Sequence, residues 1–384
     1  MHPLTIIGTG MAGLGLARQV RALDRERAIT LISADGADDY AKPLLSTGFA
    51  KRLPPERLAA RSALEVADQL GVVVRPYTRV DAIDCDRAVL HLGEECLPYS
   101  DLVIATGAAP VPPFDVPRAL GERVFTINDL DDYRAFHATL AALGRPARVA
   151  IVGLGLVGCE FANDLQAGGH HVTQIGPETS LLPRLLPAPL GRALGEAFTQ
   201  AGIHCRYGRL VEDVSDAGAD VALRLDDGHH VEADLVLVAT GLRPRTELAA
   251  AAGLAVGIDG IRVDRRLSTG RPHVYALGDV ASVDGINAMY VQPLQASAKA
   301  LARTLTGDPS EVRYGPWPVL VKTPLLPVVS LPPMGAVRWR IEADGEDMSA
   351  LAEDDTGQLK GFALTGRCVR RKVELARAAP PLLG

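Results

Sequence analysis

The segment Leu4-Thr5-Ile6-Ile7-Gly8-Thr9-Gly10-Met11-Ala12-Gly13 carries the most structural information in this 384-residue chain. Its first four residues predict a short buried strand, Leu14 to Leu23 predicts a helix, and Ala28 to Ser33 predicts a second strand. A strand, a G-x-G-x-x-G loop, a helix and a strand within about thirty residues are typical of a dinucleotide site. The first glycine permits a tight turn, the second lets backbone amides approach a pyrophosphate, and the third lets helix and strand pack closely.

The same pattern returns in the middle of the chain. Arg148 to Val152 predicts a strand, and Gly153-Leu-Gly155-Leu-Val-Gly158 follows it directly. A helix through Gln166 and a strand from His171 to Ile175 complete the second unit. Two loops of this kind in the same context predict two nucleotide sites, each with phosphates at the positive N-terminus of a helix.

Both units also end alike, in a strand followed by Ala-Thr-Gly. The first ending is Asp101 to Pro110 and the second is Asp234 to Pro244. A further short strand, beginning at Val274, ends in Gly278-Asp279. At the carboxyl edge of a parallel sheet Asp279 would project into the ligand crevice, although an aspartate there is equally suited to capping the next helix.

Composition excludes several classes of protein. The chain has 40 basic and 46 acidic residues, a net charge of −6, which is unlike a nucleic-acid-binding surface. No run of about 18 apolar residues predicts a membrane span, and no histidine spacing predicts a metal site. The five cysteines are scattered and form no C-x-x-C pair, so we expect neither disulfides nor zinc, and a cytoplasmic location. They are Cys85, Cys96, Cys159, Cys205 and Cys368.

We therefore predict an α/β protein with two Rossmann-like dinucleotide-binding domains and a small α+β C-terminal domain. The predicted boundaries are 1–112 with 244–313 for the first domain, 113–243 for the second and 314–384 for the third. From about Tyr314 prolines become frequent and runs such as Val319-Leu-Val-Lys322 alternate, which predicts a small antiparallel sheet with one or two helices. The sequence leaves the oligomeric state open, and a monomer is compatible with it.

Each nucleotide unit should offer an acidic residue to a ribose near the end of its second strand. Asp35 is the candidate in the first unit, and the alternative is a solvated loop acid. In the second unit Gly176 occupies the usual position of the acid, and Glu178 follows it. Glu178 suits a ribose diol and the nearest basic residue is Arg184, so the sequence favours NADH over NADPH.

These motifs resemble those of the flavoprotein family with two dinucleotide-binding domains, which binds FAD and a nicotinamide cofactor. The resemblance implies that the first motif takes FAD, that the second takes NAD(P)H and that Asp279 reaches the ribityl or phosphate region of FAD. It also implies that the FAD domain is divided in two by the NAD domain. The matching residues are Gly8, Gly10, Gly13, Ala105 to Gly107, Gly153, Gly155, Gly158, Ala239 to Gly241, Gly278 and Asp279.

More narrowly, the chain is similar to the rubredoxin–NAD reductase family. The segments that carry this resemblance are Tyr40 to Lys51, Ile127 to Tyr133, Cys159 to Asp164 and Val321 to Pro324. The family implies that Lys42 and Glu160 pair beside the flavin N5 as catalytic residues, that Lys322 approaches the flavin and that Val291 lines it. A surface lysine and a helix-first-turn glutamate are the alternative for the pair.

Carried over position by position, the resemblance gives a full set of expected contacts with FAD and NADH. The set is Gly8, Thr9, Gly10, Met11, Ala12, Gly13, Ser33, Ala34, Asp35, Lys42, Pro43, Val80, Ala105, Thr106, Gly107, Gly153, Gly155, Leu156, Val157, Gly158, Glu160, Glu178, Thr240, Gly241, Gly278, Asp279, Val291 and Lys322.

An absence indicates where the electrons go. Disulfide reductases of this fold carry a redox cysteine pair after the first unit, and Ser33 to Lys51 contains no cysteine. The resemblance therefore implies an external one-electron acceptor, rubredoxin, which is small and acidic. A ferredoxin or flavorubredoxin reductase and a flavin-bound redox sensor are the alternatives. Lys51-Arg52 and Arg367 to Lys372 are candidate basic docking clusters, unless they are merely solvated charges.

Overall fold

The structure is a computed structural model that describes residues 2–384. Among these residues no helix combines the length and the apolar character needed to cross a membrane. Five short 3₁₀ segments accompany the α-helices, and the one at Lys42–Thr47 matters for the site. The α-helices are α1 (Met11–Leu23), α2 (Ala63–Leu70), α3 (Leu130–Ala142), α4 (Leu156–Ala167), α5 (Ala188–Gln200), α6 (Glu247–Ala251), α7 (Val291–Leu305) and α8 (Lys372–Ala378).

Short strands alternate with these helices along the chain. In the first half they are β1 (Leu4–Ile7), β2 (Ile29–Ile32), β3 (Asp39–Tyr40), β4 (Ala59–Arg61), β5 (Val73–Arg75), β6 (Ala82–Asp84), β7 (Val89–Leu92), β8 (Glu95–Pro98), β9 (Asp101–Ile104), β10 (Ala108–Pro110), β11 (Val124–Phe125), β12 (Arg148–Val152), β13 (His171–Gly176) and β14 (His204–Tyr207). In the second half they are β15 (Val211–Ala217), β16 (Asp220–Leu225), β17 (His230–Ala233), β18 (Leu235–Val238), β19 (Leu242–Pro244), β20 (Val256–Gly257), β21 (Gly260–Val263), β22 (Val274–Ala276), β23 (Ala281–Val283), β24 (Val319–Val321), β25 (Val328–Leu331), β26 (Arg338–Asp344), β27 (Asp347–Glu353) and β28 (Leu359–Thr365).

The first sheet is parallel and has the strand order β22-β9-β1-β2-β5. β1 lies at its centre, with Leu4 opposite both Ile29 and Asp101. All four residues of β1 and of β2 are buried, because helices cover both faces of such a sheet. β22 joins this sheet from a part of the chain that follows the whole second unit. The first unit is therefore discontinuous, as expected, while its boundary residues stay predictions.

The second sheet repeats this arrangement with the order β11-β18-β12-β13-β14, again all parallel. β12 is central, and Val149 faces both Val172 and Leu235. In both sheets the chain first continues to one side of the central strand, with β2 beside β1 and β13 beside β12. A later strand, β9 or β18, then joins the other side. That arrangement opens a crevice beyond the carboxyl end of the central strand, where the glycine loops begin.

The third unit is an antiparallel sheet of order β24-β25-β28-β27-β26. Val319 and Val321 of β24 pack into the core of the second unit. Val329 and Leu364 on the opposite face join a small core that α8 covers through Leu375. The predicted α/β class, with two parallel units and a small α+β domain, is confirmed.

One predicted element begins earlier than expected. The sequence predicts a helix from Leu14, whereas α1 begins at Met11. Gly10 has extended backbone angles and serves as the N-cap, so the last three residues of the glycine motif already lie on the helix. The third glycine is therefore a helical residue packed against the loop.

Asp234, which precedes β18, ties the second sheet to its neighbouring loop. Its carboxylate is buried and accepts hydrogen bonds from both terminal nitrogens of Arg145, at 2.9 and 2.8 Å. The backbone N–H and the side chain of Arg148 donate to it as well, at 2.7 and 3.0 Å. These donors hold the pKa of Asp234 well below its usual range.

We expect Asp234→Ala to lower the free energy of unfolding by about 3 kcal/mol, since it leaves two guanidinium groups without their buried partner. Because the folded pKa lies below the unfolded value, the stabilisation is complete above about pH 5, begins to fall as the pH drops below about 4 and is lost only when the pH passes below the lowered folded pKa. Urea unfolding of the FAD-loaded protein at several pH values measures both effects. Asp216→Ala, which removes an exposed ion pair with Arg123, is the control and should cost less than about 1 kcal/mol. Equal loss in the two variants would contradict this account.

Candidate functional site

The three glycines of the first loop have different physical roles. Gly8 has φ 111°, and a Cβ there would lie 2.2 Å from the Ala105 carbonyl oxygen. A Cβ at Gly13 would lie 1.9 Å from the Gly8 carbonyl oxygen, so neither position accepts a side chain. A Cβ at Gly10 meets no atom within 4 Å, because this residue faces open space at the N-terminus of α1. That space, beside the positive end of a helix, fits a pyrophosphate.

The second loop reproduces these features closely. Gly153 has φ 124°, and its Cβ would lie 2.3 Å from the Ala239 carbonyl oxygen. Gly158 would clash with the Gly153 oxygen at 2.4 Å, while Gly155 again faces open space. Leu156 and Val157 form the first turn of α4 directly behind it. The structure therefore contains two cradles of one design, each fitted to a dinucleotide.

The two Ala-Thr-Gly turns do more than close the sheets. The carbonyl oxygens of Ala105 and Ala239 are the atoms that Gly8 and Gly153 approach. Thr240 donates to the Val111 oxygen at 2.7 Å, and β10 pairs with β19 in an antiparallel ribbon. The hydrogen bond and the ribbon join the two chain segments that connect the first unit to the second.

Arg245, which the sequence did not single out, strengthens this connection. Its guanidinium donates to the Thr106 oxygen at 3.0 Å, and its backbone N–H donates to the Gly107 oxygen at 3.0 Å. The Thr106 hydroxyl in turn donates to the Arg245 oxygen at 3.3 Å. Gly107 has φ 67°, which suits glycine at this turn. No local pattern marks an arginine so far along the chain as a partner of the first turn.

The candidate ribose acid of the first unit belongs to a hydrogen-bonded chain. Thr9 donates to the Ser33 hydroxyl at 2.9 Å, and Ser33 donates to one carboxylate oxygen of Asp35 at 2.5 Å. The Ala37 N–H also binds that oxygen. Within residues 2–384 the second oxygen of Asp35 has no hydrogen-bond partner, so it is available to a ligand. Val80, another expected contact, is buried in the first core.

The carboxylate of Glu178 reaches the usual position of the ribose-binding acid at the end of β13. Gly176 ends β13, and a Cβ at this position would lie 2.9 Å from Glu178 Oε2 and 2.6 Å from Leu154 Cγ. The glycine thus leaves room for the carboxylate of Glu178 at the strand end. Oε2 is buried and has no hydrogen-bond partner among the described residues. A ribose hydroxyl would satisfy it.

The expected pairing of Lys42 with Glu160 is wrong in this structure. Lys42 Nζ donates to Asn128 Oδ1 at 2.6 Å. Glu160, 6% exposed, accepts from the Ser46 hydroxyl at 2.8 Å and from the Lys322 N–H at 3.0 Å, and it forms an ion pair with Lys322 Nζ. A carboxylate this buried requires a charged or hydrogen-bonding partner, and the third unit supplies it.

The position of the 3₁₀ segment Lys42–Thr47 explains why Glu160 pairs with Lys322 and not with Lys42. The segment packs on α4, so Ser46 and the Pro43 carbonyl face Glu160, and Lys322 Nζ donates to both, at 2.8 and 2.7 Å. Lys42 stands at the opposite end of the segment and points toward Asn128. The sequence predicted that Lys322 would approach the site, but not which carboxylate it would meet, because that contact joins residues 162 positions apart.

The charges of Lys42 and Asp279 influence each other. Burial lowers the pKa of Lys42, while Asp279 opposes that shift and Arg245 adds to it. Burial raises the pKa of Asp279, and Lys42 opposes this shift. Gly278 has φ 78°, and a Cβ there would lie 2.7 Å from the Ala12 Cβ, which brings Asp279 against the first turn of α1.

The N-terminus of α7 borders the same crevice. Val291 is its first residue, and Leu294, one turn on, lies next to Gly278. α7 packs along α1, where the Cβ position of Gly15 is 3.9 Å from Ala298. One continuous line of groups therefore runs from the Gly10 cradle past Asp279 to Lys42. The open N-terminus of α1 fits the phosphates of FAD, and the polar side chains of Asp279 and Lys42 fit the remainder of the cofactor.

Comparisons with known proteins agree with this geometry. Residues 2–300 match the family described as pyridine nucleotide-disulphide oxidoreductase, and residues 311–379 match the rubredoxin binding C-terminal domain. A rubredoxin-NAD(+) reductase of Alcanivorax borkumensis is 42% identical over 100% of both chains. One of Acinetobacter baylyi is 40% identical over 100% of this chain and 99% of its own.

The fold agrees with solved structures as well. The ferredoxin reductase for the CYP199A2 system from Rhodopseudomonas palustris superposes with a TM-score of 0.88 at 26% identity, covering 99% of this chain and 96% of its own. The expected cofactors, FAD and NADH, are confirmed by the family match. The chain is an oxidoreductase that belongs to the pyridine nucleotide-disulphide oxidoreductase family and carries a rubredoxin-binding C-terminal domain.

Proposed function

We propose that this chain is an FAD-dependent reductase that takes a hydride from NADH and passes electrons one at a time to rubredoxin. The observation that carries the proposal is the pair of matched phosphate cradles, one in each parallel unit, in a chain that also has a rubredoxin-binding domain. When bound, FAD accepts a hydride and releases electrons singly, which connects NADH to a one-electron carrier.

The residues of the chain bind and orient the two nucleotides. Gly10 and the start of α1 hold the FAD pyrophosphate, and Gly155 and the start of α4 hold that of NADH. Asp35 and Glu178 accept hydrogen bonds from the ribose hydroxyls, and Glu178 gives the preference for NADH. Lys42 places a positive charge beside the flavin, where it stabilises the reduced anionic form. The other expected contacts with FAD and NADH stay predictions.

The thiol of Cys159, on the nucleotide-binding helix α4, is not suited to relay electrons. Cys159 follows Gly158 on α4 and is fully buried, with its Sγ donating to the Leu154 oxygen at 3.4 Å. Burial raises the pKa of this thiol to about 12, so the reactive thiolate does not form near neutral pH. A bound FAD would therefore pass its electrons to an external acceptor rather than to this thiol. The five free cysteines also suit a reducing compartment, and we place the protein in the cytoplasm.

A docking face for an acidic partner lies on the outer side of the C-terminal sheet. Leu320, 52% exposed, pairs with Val329 on the face that the 3₁₀ segment Gly366–Arg371 and α8 cover. Arg367 is bound by Asp347 there, whereas Arg370 and Lys372 form no ion pair within residues 2–384. An exposed apolar residue and uncompensated cations on the C-terminal unit suit rubredoxin, and Lys322 links this unit to Glu160 of the second unit.

We expect salt to separate the two half-reactions. Reduction of rubredoxin should slow by about tenfold between low and high ionic strength, because charge steers the encounter, while flavin reduction by NADH should change little. Stopped-flow absorbance of flavin and rubredoxin measures both. Arg370→Glu with Lys372→Glu should reproduce the salt effect at low salt. Arg224→Glu, on the second unit, is the control. Equal salt sensitivity of the two half-reactions would count against docking on this face.

A further inference from the structure

Asn128 belongs to the segment Ile127 to Tyr133, whose function the two nucleotide sites do not explain. It lies between β11 and α3 and is 6% exposed. Its Nδ2 donates to the Ala108 oxygen at 3.0 Å, and its Oδ1 accepts from Lys42 Nζ at 2.6 Å. One buried side-chain amide thus joins the second unit, the ribbon strand β10 and the flavin-side lysine.

Chemistry fixes which end of the amide faces which partner. The Ala108 carbonyl can only accept, so it must face Nδ2, and an ammonium group can only donate, so it must face Oδ1. Turning the amide over would leave both ends unsatisfied in a buried place, which is costly. Asn128 therefore presents one acceptor to Lys42 at a defined point.

The N-terminus of α3 keeps this amide in place. Asp129 is the N-cap and accepts from the Asp132 N–H at 2.9 Å, while Asp132 accepts from the Asp129 N–H at 3.4 Å and also from the Asn128 N–H at 2.9 Å. This capping box fixes the backbone on which Asn128 sits. The side chain of Asn128 thus binds Lys42, while the side chain of the next residue, Asp129, caps α3.

Lys42 has competing partners, so its position needs to be fixed. Asp279, Asp129 and Asp132 attract its charge, and Arg245 repels it. Glu160, the carboxylate expected to hold it, is taken by Lys322 and Ser46. The amide of Asn128 is the hydrogen-bond acceptor that Lys42 Nζ has among the described side chains.

We propose that Asn128 is a positioning residue that holds the Lys42 ammonium beside the flavin and anchors it to the ribbon between the units. This inference rests on the proposed function in one respect, the role of Lys42 as the flavin-side charge. Asn128 touches neither cofactor in this account. It acts through Lys42, and its neutral amide places the charge without cancelling it.

The test combines two readouts, the rate of flavin reduction by NADH and the reduction potential of the bound flavin. We expect Asn128→Leu to slow reduction by about tenfold, the effect of losing one hydrogen bond to a charged group, and to lower the potential. The KM for NADH should not change. In a Lys42→Met background, Asn128→Leu should have no further effect on either readout. Asp131→Asn, on the exposed side of the same helix, is the control and should match the wild type.

Several outcomes would overturn the inference. One is a wild-type rate and potential in Asn128→Leu, and another is an effect that persists undiminished in the Lys42→Met background. If Lys42→Met itself leaves rate and potential unchanged, the proposed role of Lys42 fails, and this inference fails with it. If Lys42→Met slows reduction and Asn128→Leu does not, only the inference fails. Asn128→Ser, too short to reach both partners, replaces Asn128→Leu if that variant does not bind FAD.

Discussion

Gly10→Val is expected to give a folded protein that binds FAD about 100-fold more weakly, a loss of about 2.7 kcal/mol. Gly10 has φ −64° and ψ −175°, which valine adopts readily, and its Cβ would meet no protein atom within 4 Å. The new side chain therefore disturbs only what binds in the open space before α1. Flavin absorbance during titration with FAD measures the affinity, and circular dichroism checks the fold.

Gly155→Val is the matched control, because its surroundings at α4 are the same. It should retain FAD and raise the KM for NADH instead. Gly13→Ala should destabilise the protein outright, since its Cβ would lie 1.9 Å from a backbone oxygen. FAD binding that survives Gly10→Val but is lost in Gly155→Val would reverse the assignment of the two cradles.

Lys42→Met is expected to slow flavin reduction by NADH about 100-fold, the typical cost of removing one group that stabilises developing charge. Methionine keeps the length and apolar stem of lysine and removes the charge. FAD affinity should change much less than the rate, since the phosphate and ribose contacts stay in place. Stopped-flow absorbance of the flavin measures the rate at saturating NADH.

Lys322→Met tests whether Lys322, rather than Lys42, supplies the positive charge beside the flavin. It leaves Glu160 without its ion pair, so we expect a loss of stability at the contact between the second and third units and a smaller change in the reduction rate. A wild-type rate in Lys42→Met, together with a 100-fold loss in Lys322→Met, would show that Lys322 supplies the flavin-side charge.

Local patterns in the sequence predicted much of the fold. The motifs at Gly8 and Gly153 each specify a strand, a turn and a helix within a short segment, and the structure has both. The boundary of α1 was missed because Met11 and Ala12 belong to the motif and to the helix at once. The C-terminal sheet followed from the alternation around Val319.

The long-range contacts of the site could not be predicted in the same way. Glu160 meets Lys322, and Lys42 meets Asn128, through packing of units that are distant in sequence. Nothing near Lys42 distinguishes Glu160 from Asn128 as its partner. Gly176 is a similar case: the sequence shows that it stands at the usual position of the acid, but only the structure shows that it makes room for the carboxylate of Glu178.

Oxidation of NADH by this protein with rubredoxin and with ferredoxin, side by side at equal concentrations, tests the central claim most directly. We expect rubredoxin to be reduced at least about tenfold faster, because docking on the C-terminal unit selects a small acidic partner. Rapid bleaching of the flavin by NADH should precede transfer in both reactions. Faster reduction of ferredoxin than of rubredoxin would contradict the account.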